Sequence, residues 1–155
     1  MRKLFLLALM LVASFSMSAR NVPAGYVDLG LPSGTMWKAT NEPGQYMFLT
    51  AQNQFGDNLP SREQCKELFA NCSCQWAENM CIVTGPNGNK ISFSYEGLVN
   101  CNEERANCGE SAELWLTEAV SSTEGACLEI HKKSKTHNTS LSKNCNRLSV
   151  HLVCK

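Results

Sequence analysis

All nine cysteines of this 155-residue chain fall between Cys65 and Cys154, and that density constrains the fold more than any other feature. No two of them are spaced C-x-x-C, and no two histidines are spaced H-x-x-x-H, so a structural zinc site is disfavoured. So many thiols read as a disulfide framework assembled in an oxidising compartment. The start of the chain agrees. Arg2 and Lys3 precede an unbroken apolar run, 4–13, which is followed by the small residues Ser14, Ser16, Ser18 and Ala19. This is the layout of a secretory signal peptide, and the run is too short to cross a bilayer, which takes about 20 residues. The expectation is a signal peptide over 1–19 and a single domain over 20–155. The product would be secreted, periplasmic or exposed at the cell surface, with no transmembrane segment.

Charge narrows the function. Fourteen Lys and Arg balance fourteen Asp and Glu, which argues against a nucleic-acid partner. The balance is an average. Residues 96–129 hold eight Glu and only Arg105, and residues 130–155 hold six bases and no acid. Two such segments are expected to neutralise one another or to form two solvated faces.

Local patterns give an α+β reading. Tyr26, Val27, Leu29 and Leu31 form an extended apolar stretch that ends at the turn Pro32-Ser33-Gly34, so an N-terminal hairpin follows. Thr50 is expected to cap a short helix over 51–55, closed by Gly56. Ser61 with Gln64 three residues on makes a capping box, and Cys65, Leu68, Phe69 and Cys72 repeat at helical spacing, giving a second helix over 62–71. Asn87-Gly88 marks a hairpin between 82–84 and 91–95. Residues 100–112 read as a polar loop. Strands are expected at 114–116, 127–131 and 148–154. Trp37, Trp76 and Trp115 are expected in the core. The loop between Cys101 and Cys108 is too polar for a core, so these two are expected to pair. Cys81 is expected to pair with Cys72 or with Cys74, leaving the other as the odd thiol.

Four stretches carry a resemblance. YVDLGLPSGTMWKATNE at 26–42, FGDNLPSREQCKELFANCSCQW at 55–76, VTGPNGNKISF at 83–93 and NRLSVHLVC at 146–154 are similar to secreted bacterial domains of the Fibrobacter succinogenes major paralogous type. The resemblance implies a C-type lectin-like fold: two helices on small antiparallel sheets, a long loop region before the last strands, and disulfide staples. It also implies a Cys127–Cys145 bridge and a Cys65–Cys154 bridge. The chain departs from that family at LWLTE, 114–118, where a Trp-Ser-Ser stretch is usual, and at His151, where an Arg is usual.

No catalytic set stands out. A Ser-His-Asp arrangement needs a buried Asp to orient His131, His137 or His151, and the two Asp, Asp28 and Asp57, are expected in a strand and a turn, with no nucleophile-elbow sequence. The same scarcity of carboxylates in the late loops disfavours calcium. No cofactor and no metal are expected. The polar run His131, Lys132, Lys133, Lys135, His137 and Asn138 is the candidate ligand-binding segment, within late loops spanning about 118–147. The expected function is a non-catalytic, calcium-independent binding or adhesion module for an extracellular glycan or protein ligand. A small secreted enzyme and a structural envelope protein are the alternatives.

Overall fold

Several turns of this protein form where the sequence supplies glycine, asparagine or proline. A computed structural model of the chain describes residues 20–155, and the expected signal segment lies outside the described residues. β1 (Tyr26–Asp28) and β2 (Met36–Lys38) form the expected antiparallel hairpin, with the Gly34 amide donating to the Leu31 carbonyl in the connecting turn. β3 (Tyr46–Met47) runs straight into α1 (Phe48–Phe55). The helix begins before Thr50. Phe48 is buried, and its amide donates to the Asn144 carbonyl, which replaces a side-chain cap at Met47. Gly56 ends the helix at a positive φ of 49° and opens a 3-10 turn, Gly56–Asn58.

α2 (Arg62–Asn71) starts as its capping box requires. The Gln64 amide donates to Ser61 Oγ at 3.1 Å and the Ser61 amide donates to Gln64 Oε1 at 2.8 Å. β4 (Ser73–Trp76), β5 (Met80–Thr84) and β6 (Lys90–Ser94) make an antiparallel sheet in that order. The sequence gives no strong sign of β4, whose Ser, Cys and Gln carry little strand preference. The expected β5–β6 hairpin forms, and in its turn Gly88 has positive φ, 87°, with its amide donating to the Gly85 carbonyl.

The expected loop over 100–112 holds β7 (Leu98–Val99) at its edge and β8 (Arg105–Ala106) within it. Gly97 precedes β7 with φ 60°, and any Cβ there would collide with the backbone of Ala106, Asn107 and Cys108. β9 (Ser111–Ala119), β10 (Glu124–His131) and β11 (Thr136–Lys143) form the longest sheet. This corrects the expected long loop region over 118–147, most of which is a β-hairpin. β11 escaped notice because it is an edge strand, almost wholly exposed and polar, and its pairing rests on backbone hydrogen bonds. β12 (Arg147–Leu148) and β13 (Val153–Cys154) complete the fold. They divide the expected strand over 148–154, and its apparent alternation does not separate inside from outside, since Ser149 and His151 are buried too. β12 lies between β3 and β7, and β13 pairs with β2. The described residues thus form two short helices on four small antiparallel sheets.

β9 is buried on both faces and divides the interior. On the α2 side, Ala112, Leu114 and Leu116 join Ala126, Leu128 and Ile130 of β10, with Trp37, Leu68, Val83 and Phe93. On the α1 side, Trp115 and Cys127 pack with Phe48, Ala51, Leu59, Leu148 and Val150. Trp37 and Trp115 are core residues as expected, whereas Trp76 is half-buried at the edge of the larger cluster.

Among the described residues the disulfide is Cys101–Cys145, with the Cα atoms 5.1 Å apart. This corrects the expected Cys101–Cys108, Cys127–Cys145 and Cys65–Cys154 pairings, and strand register explains why. β12 pairs with β7 through Arg147 opposite Val99, so the same antiparallel register carries Cys145 to Cys101. In the β7–β8 ladder Leu98 faces Ala106, which places Cys108 opposite Glu96, at the far end of that hairpin from Cys101. The Cys108 Sγ donates to the Glu96 carbonyl there. Cys127 lies opposite Ser140 in mid-strand, about five residues or roughly 17 Å along the ladder from the level of Cys145. Cys65 sits in the α2-side core with Val153, while Cys154, next along β13, alternates away toward Tyr26. Cys65, Cys72, Cys74, Cys81, Cys108, Cys127 and Cys154 are thiols.

Candidate functional site

The segment singled out for ligand binding becomes the end of the β10–β11 hairpin. Its six residues do not form one site: the strand residues alternate between two faces, and the three lysines belong to the turn. His131 and Asn138 lie on one face, where both approach Glu129 Oε2, at 3.3 Å and 3.2 Å. Lys132 sits over the Tyr95 ring, with Nζ 5.9 Å from its centroid. Lys133 joins His131, Ser111 and Glu110 around a recess of about 530 Å³. Lys135 is exposed in the turn, at a left-handed φ of 55°. His137, opposite Ile130, points to the other face, toward α2.

There the structure forms a groove of about 550 Å³ between α2 and the β10–β11 strands. Its floor is Cys65, Leu128 and Phe69, and its walls carry Arg62, Lys66 and His137. The side chains of Phe69 and His137 stack with ring centroids 3.8 Å apart and planes inclined by 12°. Such a stack contributes about 0.5–1.5 kcal/mol beyond the area it covers. Burial against this wall holds the His137 imidazole below its ordinary pKa. It therefore presents a neutral aromatic surface at neutral pH, and the exposed Arg62 and Lys66 outnumber the one carboxylate of the lining, Glu63, by two charges to one.

These three residues were not singled out from the sequence. Phe69 is visible there only as part of the apolar stripe of α2. The signal available was the row Arg62, Lys66 and Phe69 at i, i+4 and i+7, which puts two cations and an aromatic ring along one helix face.

The acidic and basic segments do meet. Glu124 faces Lys143 across β10 and β11, and Arg147 contacts Glu103 at 2.8 Å. Glu113 and Glu129 are cross-strand neighbours, an unfavourable pairing that donors relieve: Asn107 and Ser111 serve Glu113, and His131 and Asn138 serve Glu129. Among the described residues no group of three or more His, Cys, Asp or Glu side chains is arranged to hold a metal ion.

His151, between β12 and β13, is structural. It is fully buried, with Nε2 donating to the Lys38 carbonyl at 2.6 Å and Nδ1 lying 3.1 Å from the Asn41 side-chain amide. Asn41 Nδ2 has no partner among the described residues as placed. Rotating that amide by half a turn lets Nδ2 donate to Nδ1 of a neutral imidazole and satisfies both groups. Burial pushes the His151 pKa down to about 4. Comparison with family models, with curated proteins and with solved structures gave no match.

Proposed function

We propose that this chain is an exported, non-catalytic binding module of the C-type lectin-like kind. In this reading the α2–β11 groove contacts an extracellular glycan or protein ligand that carries acidic groups. The observation that carries the reading is the Phe69–His137 stack, which lines one groove together with the exposed cations Arg62 and Lys66. Stacked rings offer a flat apolar surface, and flanking cations favour carboxylate or sulfate on whatever lies against it. Among the described residues no helix is long and apolar enough to cross a membrane, which fits an exported domain of this kind.

The test is attachment of the purified protein to arrays of neutral glycans, acidic glycans and acidic peptides, with and without a chelator. Saturable attachment to acidic members, unchanged by the chelator, is expected. The double substitution Arg62→Ser and Lys66→Ser should weaken it roughly tenfold, about 1.4 kcal/mol. Changing Lys132, Lys133 and Lys135 to Ser should have a smaller effect, because those side chains lie outside the groove. If the lysine triple variant loses attachment and the groove variant keeps it, the hairpin turn is the site and the groove is not.

A further inference from the structure

We infer that Cys74 and Cys81 form a cross-strand disulfide that clips β4 to β5 when the protein meets a thiol oxidant. The register brings the pair together. Cys74 faces Val83 and Cys81 faces Trp76, so the two cysteines are diagonal neighbours on one face of the ladder. That face is the inner one: Cys81 is fully buried with Val83, Ile91 and Phe93, and Cys74 and Trp76 pack against the same cluster. A diagonal is the longer reach across an antiparallel ribbon, although strand twist shortens one of the two diagonals. The two side chains lie on the same inner face and are close enough for each thiol to shift the other's titration.

The same register separates the pair from its neighbour in sequence. Cys72 is the C-terminal cap of α2, four residues or roughly 13 Å along the strand from the position opposite Cys81. The hairpin between the two strands is tight, with the Ala77 amide donating to the Met80 carbonyl, so β4 cannot slide to bring Cys72 into range without breaking that turn.

The chemistry divides the roles. The neighbouring Cys81 thiol lowers the Cys74 pKa, Cys74 raises that of Cys81, and Cys74 is the less buried of the two. Cys74 is therefore the sulfur that an oxidant reaches first, as thiolate. The oxidant is a disulfide, such as oxidised glutathione. The Cys74 thiolate attacks one of its sulfurs, forming a mixed disulfide and releasing one glutathione thiolate. Cys81 then loses its proton and attacks the Cys74 sulfur, and the second glutathione leaves. Two protons and two electrons pass from the protein, and the oxidised glutathione becomes two thiols.

The experiment is disulfide mapping of the folded chain after equilibration with oxidised glutathione, with free thiols alkylated before digestion. Glu78 lies between Cys74 and Cys81, so trypsin with a glutamyl protease puts them on separate peptides. A linked pair of peptides, lighter by two hydrogens than their reduced sum, is expected in the wild type and in Cys72→Ser, and it should be missing from Cys74→Ser. Alkylated Cys81 in the oxidised wild type, a Cys72–Cys81 link, or a glutathione adduct that persists on Cys74 would each overturn the assignment. Cys72 and Cys74 share one peptide, so fragmentation between them assigns the linked sulfur, and that wild-type map decides the matter even if a variant folds poorly.

Discussion

Trp37 and Trp115 are both wholly excluded from solvent, one on each side of β9, and their surroundings treat them differently. Trp115 donates its indole N–H to the Tyr46 carbonyl at 2.6 Å, and its ring meets Phe48 edge-on at 5.0 Å. Trp37 packs against Phe93 and His151, and its indole N–H has no partner among the described residues. The α2-side core is the larger and also leaves the Tyr95 hydroxyl without a partner among the described residues. The α1-side core is small, and it is fastened by a directed hydrogen bond and a nearby disulfide. The contrast teaches that apolar area can absorb an unpaired donor where it is plentiful, while a sparse core needs groups that fix position.

The largest expected effects test the sparse core. Trp115→Ala should cost about 3–5 kcal/mol by urea unfolding, and a loss under about 1 kcal/mol would show that the α1 side contributes little. Reducing Cys101–Cys145, or replacing Cys101 by Ser, should cost about 4 kcal/mol from the loop it closes, whose ends are 44 residues apart. Unchanged unfolding midpoints with and without reductant would remove the disulfide from the comparison.

The pH dependence addresses the larger core. His151 binds its proton far less readily in the folded chain, about 4, than in the unfolded one, 6.5. The unfolded state therefore takes up more protons between those values. Stability is full above pH 6.5 and falls as pH drops toward 4, by about 3 kcal/mol. Urea unfolding of wild type against His151→Gln should show the steeper decline in the wild type, and parallel profiles would mean that the imidazole is not held neutral.

Two smaller effects sharpen the contrast. Trp115→Phe should cost about 1–3 kcal/mol more than Trp37→Phe, because only the first leaves a carbonyl without its donor. Equal costs would mean that the unpaired N–H of Trp37 is served in solution. At the helices, Ser61→Ala should lower the melting stability by about 1 kcal/mol. Met47→Ser, at the uncapped start of α1, should change it by less, since the Asn144 carbonyl already serves that end.

Legibility followed the physical origin of each element. α2 announces itself through a side-chain cap and an apolar stripe, both local. The β1–β2 hairpin and the β5–β6 hairpin announce themselves through turn residues. α1 begins where a distant carbonyl accepts its first amide, so Thr50 misled. β11 has no apolar face, and β4 has neither turn nor pattern. The covalent pairing is hidden for a related reason: Cys101 and Cys145 meet through the register of two-residue strands, which leaves almost no trace in composition. Of the candidate site, His137 reaches the groove, but its partner Phe69 comes from α2, and that meeting is tertiary.

β13 supplies two residues to the sheet that begins with β1 and β2. The first hairpin therefore emerges during synthesis with one edge of β2 open, and it stays open until the last described strand exists. An open edge of this kind recruits other strands, including those of neighbouring unfinished chains. Folding must also wait for a contact between distant parts of the chain, which slows it. The passage from ribosome to finished fold is thus the interval in which this protein is most exposed to misassembly, and a holdase that covers the β2 edge would shorten that exposure more than any added stability would.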